Sequence, residues 1–164
     1  MAKIAWLPLL ILLIAAPALD EPPPLKADQI LVLKKKRELL LLRDGRVLKS
    51  YPVALGLHPV GPKRQEGDGR TPEGLYVIDG RAPGSRYHLA LHISYPGPED
   101  EAQALAAHRS PGGAIMIHGL PNWYEALTMR LAPDWTSGCI AVSNDAIEEI
   151  WDAVDDGTPI EIRP

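Results

Sequence analysis

Apolar residues in this chain come in short runs separated by charged or glycine- and proline-bearing breaks, a pattern that predicts strands along most of its length. Gln29–Leu33 and Glu38–Leu42 flank the basic run Lys34-Lys35-Lys36-Arg37 and predict a hairpin with that run as its solvated turn. Asp44-Gly45 predicts a second hairpin turn leading into Val47–Ala54, where apolar and polar residues partly alternate. Gly56–Gly74 carries five Gly and three Pro among many charges and is expected to be a long, functional loop. Strand character returns at Leu75–Ile78 and at His88–Tyr95. In the second, His88, Ala90, His92 and Ser94 share one face and Leu89, Leu91, Ile93 and Tyr95 the other. Pro98-Glu99-Asp100-Glu101 opens a helix expected to reach His108. Ala114–Ile117 is expected to be a buried strand that delivers His118. Asn122–Arg130 is predicted helical, as is Asp145–Val154 with Asn144 as its cap, and Thr158–Ile162 is expected to be the closing strand.

The pattern as a whole predicts a mainly β domain with a few short helices, a sandwich or barrel in a single unit. At 164 residues and 46% apolar content the core needs no staples, and because Phe is absent it must be aliphatic, with four Trp and five Tyr as the aromatic supply. A formal net charge of -4 gives no electrostatic case for nucleic acid. Lys3, the apolar stretch Ile4–Ile14 and Ala16-Pro17-Ala18 read as a secretory signal over residues 1–18. The stretch is short for a bilayer span, which needs about 20 apolar residues, so a membrane partner is expected only through an uncleaved signal. Residues 19–28, with Pro22-Pro23-Pro24, form a proline-rich linker, and 29–163 the folded domain, exported to the periplasm or cell envelope. His88 and His92 lack a matching carboxylate or cysteine set, so they read as a polar strand face; neither a metal nor a cofactor is expected.

Chemistry concentrates at Ser137-Gly138-Cys139-Ile140, which holds the single cysteine of the chain. Most free cysteines are buried packing residues, and this one has no intramolecular disulfide partner. His118-Gly119 lies upstream, and a thiol needs a neighbouring imidazole to become nucleophilic near neutral pH. Gly138 permits a tight turn, so that amides around Gly138 and Cys139 could face a carbonyl under attack. No C-x-x-C pair is present to suggest redox chemistry.

Four blocks in order carry a resemblance: Gly67-Asp68-Gly69-Arg70-Thr71-Pro72-Glu73-Gly74, His118-Gly119, Thr136-Ser137-Gly138-Cys139-Ile140 and Gly157-Thr158-Pro159-Ile160-Glu161-Ile162. Over Gln29–Ile162 the chain resembles the YkuD-type L,D-transpeptidase catalytic domain. The resemblance implies Cys139 as nucleophile, His118 as base held by a backbone carbonyl, and Gly138 as the residue that shapes the turn. It also implies acylation by carbapenem-type β-lactams and a peptidoglycan stem tetrapeptide as substrate. Cys139 would release D-Ala and form a thioester, which passes to a second stem peptide in a 3–3 cross-link or to another amine acceptor such as a lipoprotein. Thr136 takes the family's Ser/Thr position. Ser137 stands where many members have a second histidine, and Ala141 where many have arginine or asparagine. With His92-Ile93-Ser94-Tyr95-Pro96, the T-x-G-C-I-A-V pattern reads as a subfamily trait.

Thr136, Ser137, His92, Tyr95 and Gly119 are accordingly expected at the substrate groove. Arg70 either receives a substrate carboxylate or holds its own loop. Trp123, Tyr124 and Trp135 either wall the groove or pack as core, and Asp134 reads as a turn former rather than a third catalytic member. Two other outcomes stay open: a hydrolytic relative (an L,D-carboxypeptidase, or an amidase freeing a wall-linked lipoprotein) and a non-catalytic wall-binding module. Retention of both Cys139 and His118 argues against the last.

Overall fold

Alternation sets the first hairpin. In β1 (Gln29–Leu33) Ile30 and Val32 turn inward, and in β2 (Glu38–Arg43) Leu39 and Leu41 meet them across an antiparallel ladder. Burying each such side chain stabilises the fold by about 1.5–3 kcal/mol. The computed structural model describes residues 25–122 and 133–164. Asp44 and Gly45, both at positive φ, form the tight turn into β3 (Arg46–Pro52), as their sequence predicts.

The basic run between β1 and β2 is not a solvated turn throughout. Lys35 and Lys36 face solvent, but Lys34 is 2% exposed. Its Nζ donates to Gly61 O at 2.7 Å, Thr71 O at 2.8 Å and Glu73 Oε1 at 2.8 Å. One ammonium therefore ties down both limbs of the long loop after β3. Burial pushes this lysine's pKa down, and the Glu73 carboxylate partly restores it. Lys34→Met would leave Glu73 and two carbonyls without their donor, and we expect a loss of about 2–4 kcal/mol, read as a lower urea midpoint at unchanged slope. An unchanged midpoint would mean the loop is anchored elsewhere.

β4 (Gly74–Ser85) is the longest strand. Its first half pairs with β8 (Pro159–Arg163), and its second half, through two register shifts, with β5 (His88–Ile93). β6 (Met116–His118) and β7 (Ile140–Ala141) follow, giving one eight-stranded sheet in the order β3-β2-β1-β8-β4-β5-β6-β7. Bridges from Ala54 to Ala141 and from Gly56 to Thr136 join the segment after β3 back to the far edge. The mainly β, barrel-like architecture expected from the strand pattern is what the chain adopts.

α1 (Pro98–Ala106) is shorter than its pattern suggests and begins where Asp100 Oδ2 accepts the Gly97 N–H at 3.0 Å. α2 (Asn144–Ala153) lays Ala146, Ile147, Ile150 and Ala153 into the core. Its cap is Ser143, whose Oγ accepts the Ala146 N–H at 3.2 Å, and not Asn144 as the sequence suggests. The strand ends at Ala141, which leaves Ser143 extended in the capping position and frees Asn144 for another task, described below. Among the described residues no helix is long and apolar enough to cross a membrane. The predicted signal (1–18), most of the linker (19–28) and nearly all of the Asn122–Arg130 helix fall outside the described residues.

Candidate active site

β6 and β7 run parallel, with Ile117 opposite Ile140 and His118 opposite Ala141. Ile117 and Ile140 are both fully buried in the core. Alternation therefore sends Met116 and His118 to the other face, and Cys139, directly before β7, joins them there. His118 and Cys139 are two residues out of step on neighbouring chains, and strand spacing and rise put such diagonal neighbours about 8 Å apart at Cα.

The cysteine turn is built by one hydroxyl. Thr136, held by backbone bonds to Leu55 and Leu57, accepts the Gly138 N–H on its Oγ1 at 3.0 Å and donates to Cys139 O at 2.8 Å. The Gly138 amide is thus committed within the turn. Gly138 itself sits at φ +133, and a Cβ there would lie 2.6 Å from Arg70 O. The loop after β3 presses on this turn from behind: a Cβ on Gly56 would lie 2.2 Å from Gly69 O and 3.1 Å from Gly138 Cα. Thr71, fully buried, accepts the Gly56 N–H at 3.0 Å.

His118 is 4% exposed and is oriented from several sides. Its Nδ1 is 2.7 Å from Gly119 O. A carbonyl only accepts, so Nδ1 carries the hydrogen and Nε2 keeps the basic lone pair. Tyr87 lies against the imidazole at 4.5 Å between ring centroids, and Trp135 meets it edge-on at 5.7 Å. Asn144, spared from capping, accepts the Leu120 N–H at 2.8 Å; a Cβ on Gly119 would lie 2.7 Å from that same oxygen. Gly119 is therefore the position where the strand end that bears His118 fits against α2. Asn122 clamps the turn that carries Tyr87, accepting from the His88 N–H at 2.8 Å and donating to Ser85 O at 3.0 Å.

The Cys139 thiol is half-buried, with Sγ 3.6 Å from Ala114 O. Burial pushes its pKa up, while a hydrogen bond from the Met116 backbone and the Lys63 charge offset part of that shift. Burial pushes the His118 imidazole down, partly offset by its bond to Gly119. Both directions favour a neutral thiol beside a neutral imidazole at rest rather than a preformed ion pair. We expect ultraviolet thiolate absorbance to be absent at neutral pH and to appear only above the ordinary thiol pKa of about 8.5. A lowered imidazole pKa keeps the base unprotonated into mild acid, so the acid limb of Cys139 acylation should fall below about pH 6.5. Thiolate absorbance at pH 7 would show an ion pair instead.

Other sequence-predicted residues are placed as follows. Ser137 is exposed beside Cys139, and Arg70 is half-exposed with its carbonyl against Gly138. His92 lies opposite Met116 on the His118 face, and its Nδ1 pairs with Asp79 at 2.5 Å. Tyr95 is not brought to this face. It is 3% exposed, packs edge-on against Tyr76 and donates its hydroxyl to Pro111 O at 2.9 Å. Trp123 and Tyr124 lie outside the described residues. Asp134 is no mere turn former: its carboxylate receives Arg37 Nε at 2.9 Å, Arg37 Nη2 at 2.7 Å and the Leu55 N–H at 2.9 Å. Tyr87 and Asn144 carry no motif signal in the sequence. Among the described residues no group of three or more His, Cys, Asp and Glu side chains could hold a metal ion.

The family model of the YkuD L,D-transpeptidase catalytic domain matches residues 27–162. The chain belongs to this family. The putative L,D-transpeptidase YafK of Escherichia coli K12 is 33% identical over 131 residues, covering 76% of this chain and 46% of YafK. The helical cell shape determining protein Pgp2 of Campylobacter jejuni superposes with a TM-score of 0.66 at 28% identity, over 82% of this chain and 46% of Pgp2. Bd1075 of Bdellovibrio bacteriovorus gives 0.58 at 27% identity, over 85% and 48%. The chain spans about half the length of these relatives. An L,D-transpeptidase of Xylanimonas cellulosilytica, with a TM-score of 0.55 at 19% identity, shares the fold.

Proposed function

We propose that this domain is a cysteine acyltransferase acting on peptidoglycan stem tetrapeptides, with Cys139 as nucleophile and His118 as base. The supporting observation is the β6–β7 register, which sets His118 and Cys139 on one face while the Gly119 carbonyl leaves Nε2 as the basic nitrogen. As the Cys139 sulfur attacks the carbonyl of the third stem residue, its proton passes to His118 Nε2. The carbon–nitrogen bond to D-Ala breaks, the imidazolium returns the proton to the leaving amine, and a thioester remains. With the Gly138 amide held by Thr136, the backbone donor to the oxyanion is the Cys139 N–H; one such donor contributes about 3 kcal/mol to acyl transfer.

An acceptor amine then resolves the thioester into a cross-link or an attached product, and water resolves it into a tripeptide. On this reading Arg70 and Ser137, which flank the Cys139 turn, meet the donor peptide. On the strength of the leader-like residues 1–18, the enzyme works in the periplasm or cell envelope. The decisive experiment is incubation of the protein with disaccharide tetrapeptide and mass identification of the products. Release of D-Ala with a 3–3 dimer is expected. Recovery of unchanged substrate alone would overturn the reading in favour of a wall-binding module.

A further inference from the structure

Arg64, Arg70 and Arg109 border a cavity of about 470 Å³ together with His58, Gln65 and Asp68. The one acid in this lining is already spent. Asp68 Oδ1 accepts from Lys63 Nζ and the Arg70 N–H, each at 3.0 Å, and Oδ2 from the Arg64 N–H at 2.7 Å and the Gln65 N–H at 3.1 Å. Burial pushes its carboxyl up, but these hydrogen bonds hold it below the usual carboxylate range, so it stays ionised within its own loop. Among the described residues, no carboxylate pairs with any of the three guanidiniums. His58 is turned the same way, its Nδ1 bonded to Asp68 O at 2.8 Å with Nε2 unused by that bond. A chain of net charge -4 thus keeps three unneutralised cations around one hollow.

Two contacts link the hollow to the cysteine turn. Asp68, in its lining, binds Lys63, whose charge acts on the Cys139 thiol, and Arg70 O is the atom that a Cβ on Gly138 would strike, one residue before Cys139. Ser110 O accepts the Glu66 N–H at 2.8 Å, tying the segment after α1 to this loop, and farther along that segment the Ala114 carbonyl lies 3.6 Å from Cys139 Sγ. Planar guanidiniums receive carboxylates through paired N–H donors, and a stem tetrapeptide carries free carboxylates on both sides of the bond that Cys139 would cut.

We propose that the Arg64–Arg70–Arg109 pocket receives a free carboxylate of the donor stem peptide. This rests on the acyltransferase reading above. Two sources share the chemistry: the terminal D-Ala carboxylate and the distal carboxylate of a third-residue diaminopimelate.

The test uses the full chain carrying Cys139→Ala, titrated calorimetrically with a tetrapeptide containing diaminopimelate. Adding Arg64→Ala and Arg109→Ala together should weaken binding at least tenfold, as expected for lost charge-assisted hydrogen bonds. Both residues are exposed, so the fold should survive, and circular dichroism checks this. Arg64→Lys with Arg109→Lys should recover only part of the loss, because charge is kept and the fork is not. Amidating one carboxylate at a time should abolish the difference between parent and variant for the group that sits in the pocket. Unchanged affinity in the double variant, an equal loss with both carboxylates amidated, or no binding by the Cys139→Ala parent would each overturn the proposal. Carbapenem acylation of protein with Cys139 intact reports separately on the Cys139–His118 reading. An adduct that forms while the titration shows no arginine dependence removes the pocket alone.

Discussion

Cys139→Ala will form no covalent adduct with a carbapenem and release no D-Ala from a stem tetrapeptide, whereas His118→Ala will keep its thiol and lose about 10²–10⁴ in acylation rate. The difference follows from what each side chain supplies. Without sulfur there is no atom to hold the acyl group. Without the imidazole a protonated, half-buried thiol must lose its proton to solvent, and burial has already made that loss harder. His118→Ala should also lose the mild-acid limb of the rate profile, leaving a rate that climbs with hydroxide into the thiol's own range. His88→Ala and His108→Ala serve as controls. The His88 imidazole pairs with Glu148 at 2.6 Å and His108 is exposed just beyond α1, and neither substitution is expected to change the rate by more than a few-fold. Intact-protein mass spectrometry and stopped-flow acylation measure all four variants. An adduct on Cys139→Ala, or a loss in His88→Ala equal to that in His118→Ala, would reassign the chemistry.

Gly138→Ala is expected to be severely damaging for a single added methyl group. The residue's φ of +133 is one that L-residues with a Cβ rarely adopt, and the added carbon would lie 2.6 Å from Arg70 O and 3.3 Å from Ile115 Cδ1. The obstacle is backbone, so no flexible side chain can swing away. Either the Thr136 turn opens or the loop behind it lifts. We expect about 3–5 kcal/mol lost from stability, within the range of backbone strain combined with overpacking. The folded fraction should also show at least a hundredfold slower acylation, because the turn that aims Cys139 is the part displaced. Urea unfolding with acylation under native conditions tests both. Parent-like stability would mean the turn has slack.

Much of this was legible in the chain. The Leu and Ile alternation of Gln29–Leu42 and the Asp44-Gly45 turn could be placed because each rests on local chemistry, while the His118 and Cys139 blocks stand out through their order and their resemblance to a family. The second half of β4 could not: Asp79-Gly80-Arg81-Ala82-Pro83-Gly84 has the composition of a loop, and its pairing with β5, shifted at two points, makes it strand. Lys34 looked like its exposed neighbours because only the distant carbonyls of Gly61 and Thr71 reveal why it turns inward. Asp134 pairs with Arg37, far off in sequence, so its structural role left no local mark. Ser143 and Asn144 can both cap a helix, and the choice fell to where the preceding strand stops. Tyr87 meets His118 through tertiary packing alone, and Tyr95, on the apolar face of its strand, followed that face into the core.

The bridges of Ala54 to Ala141 and Gly56 to Thr136 join parts of the chain that are far apart in sequence, and they run through the residues that flank Cys139. Closing so long a span costs chain entropy that is recovered only once the intervening strands have docked. In a nascent or partly folded chain, Cys139 is then an ordinary thiol: no Thr136 turn aims it and no imbedded imidazole stands ready to take its proton. On the proposed mechanism, acyl transfer becomes possible only once these bridges are made. They tie the proposed chemistry to the completed fold, so that peptide amides met by a partly folded chain are left uncut.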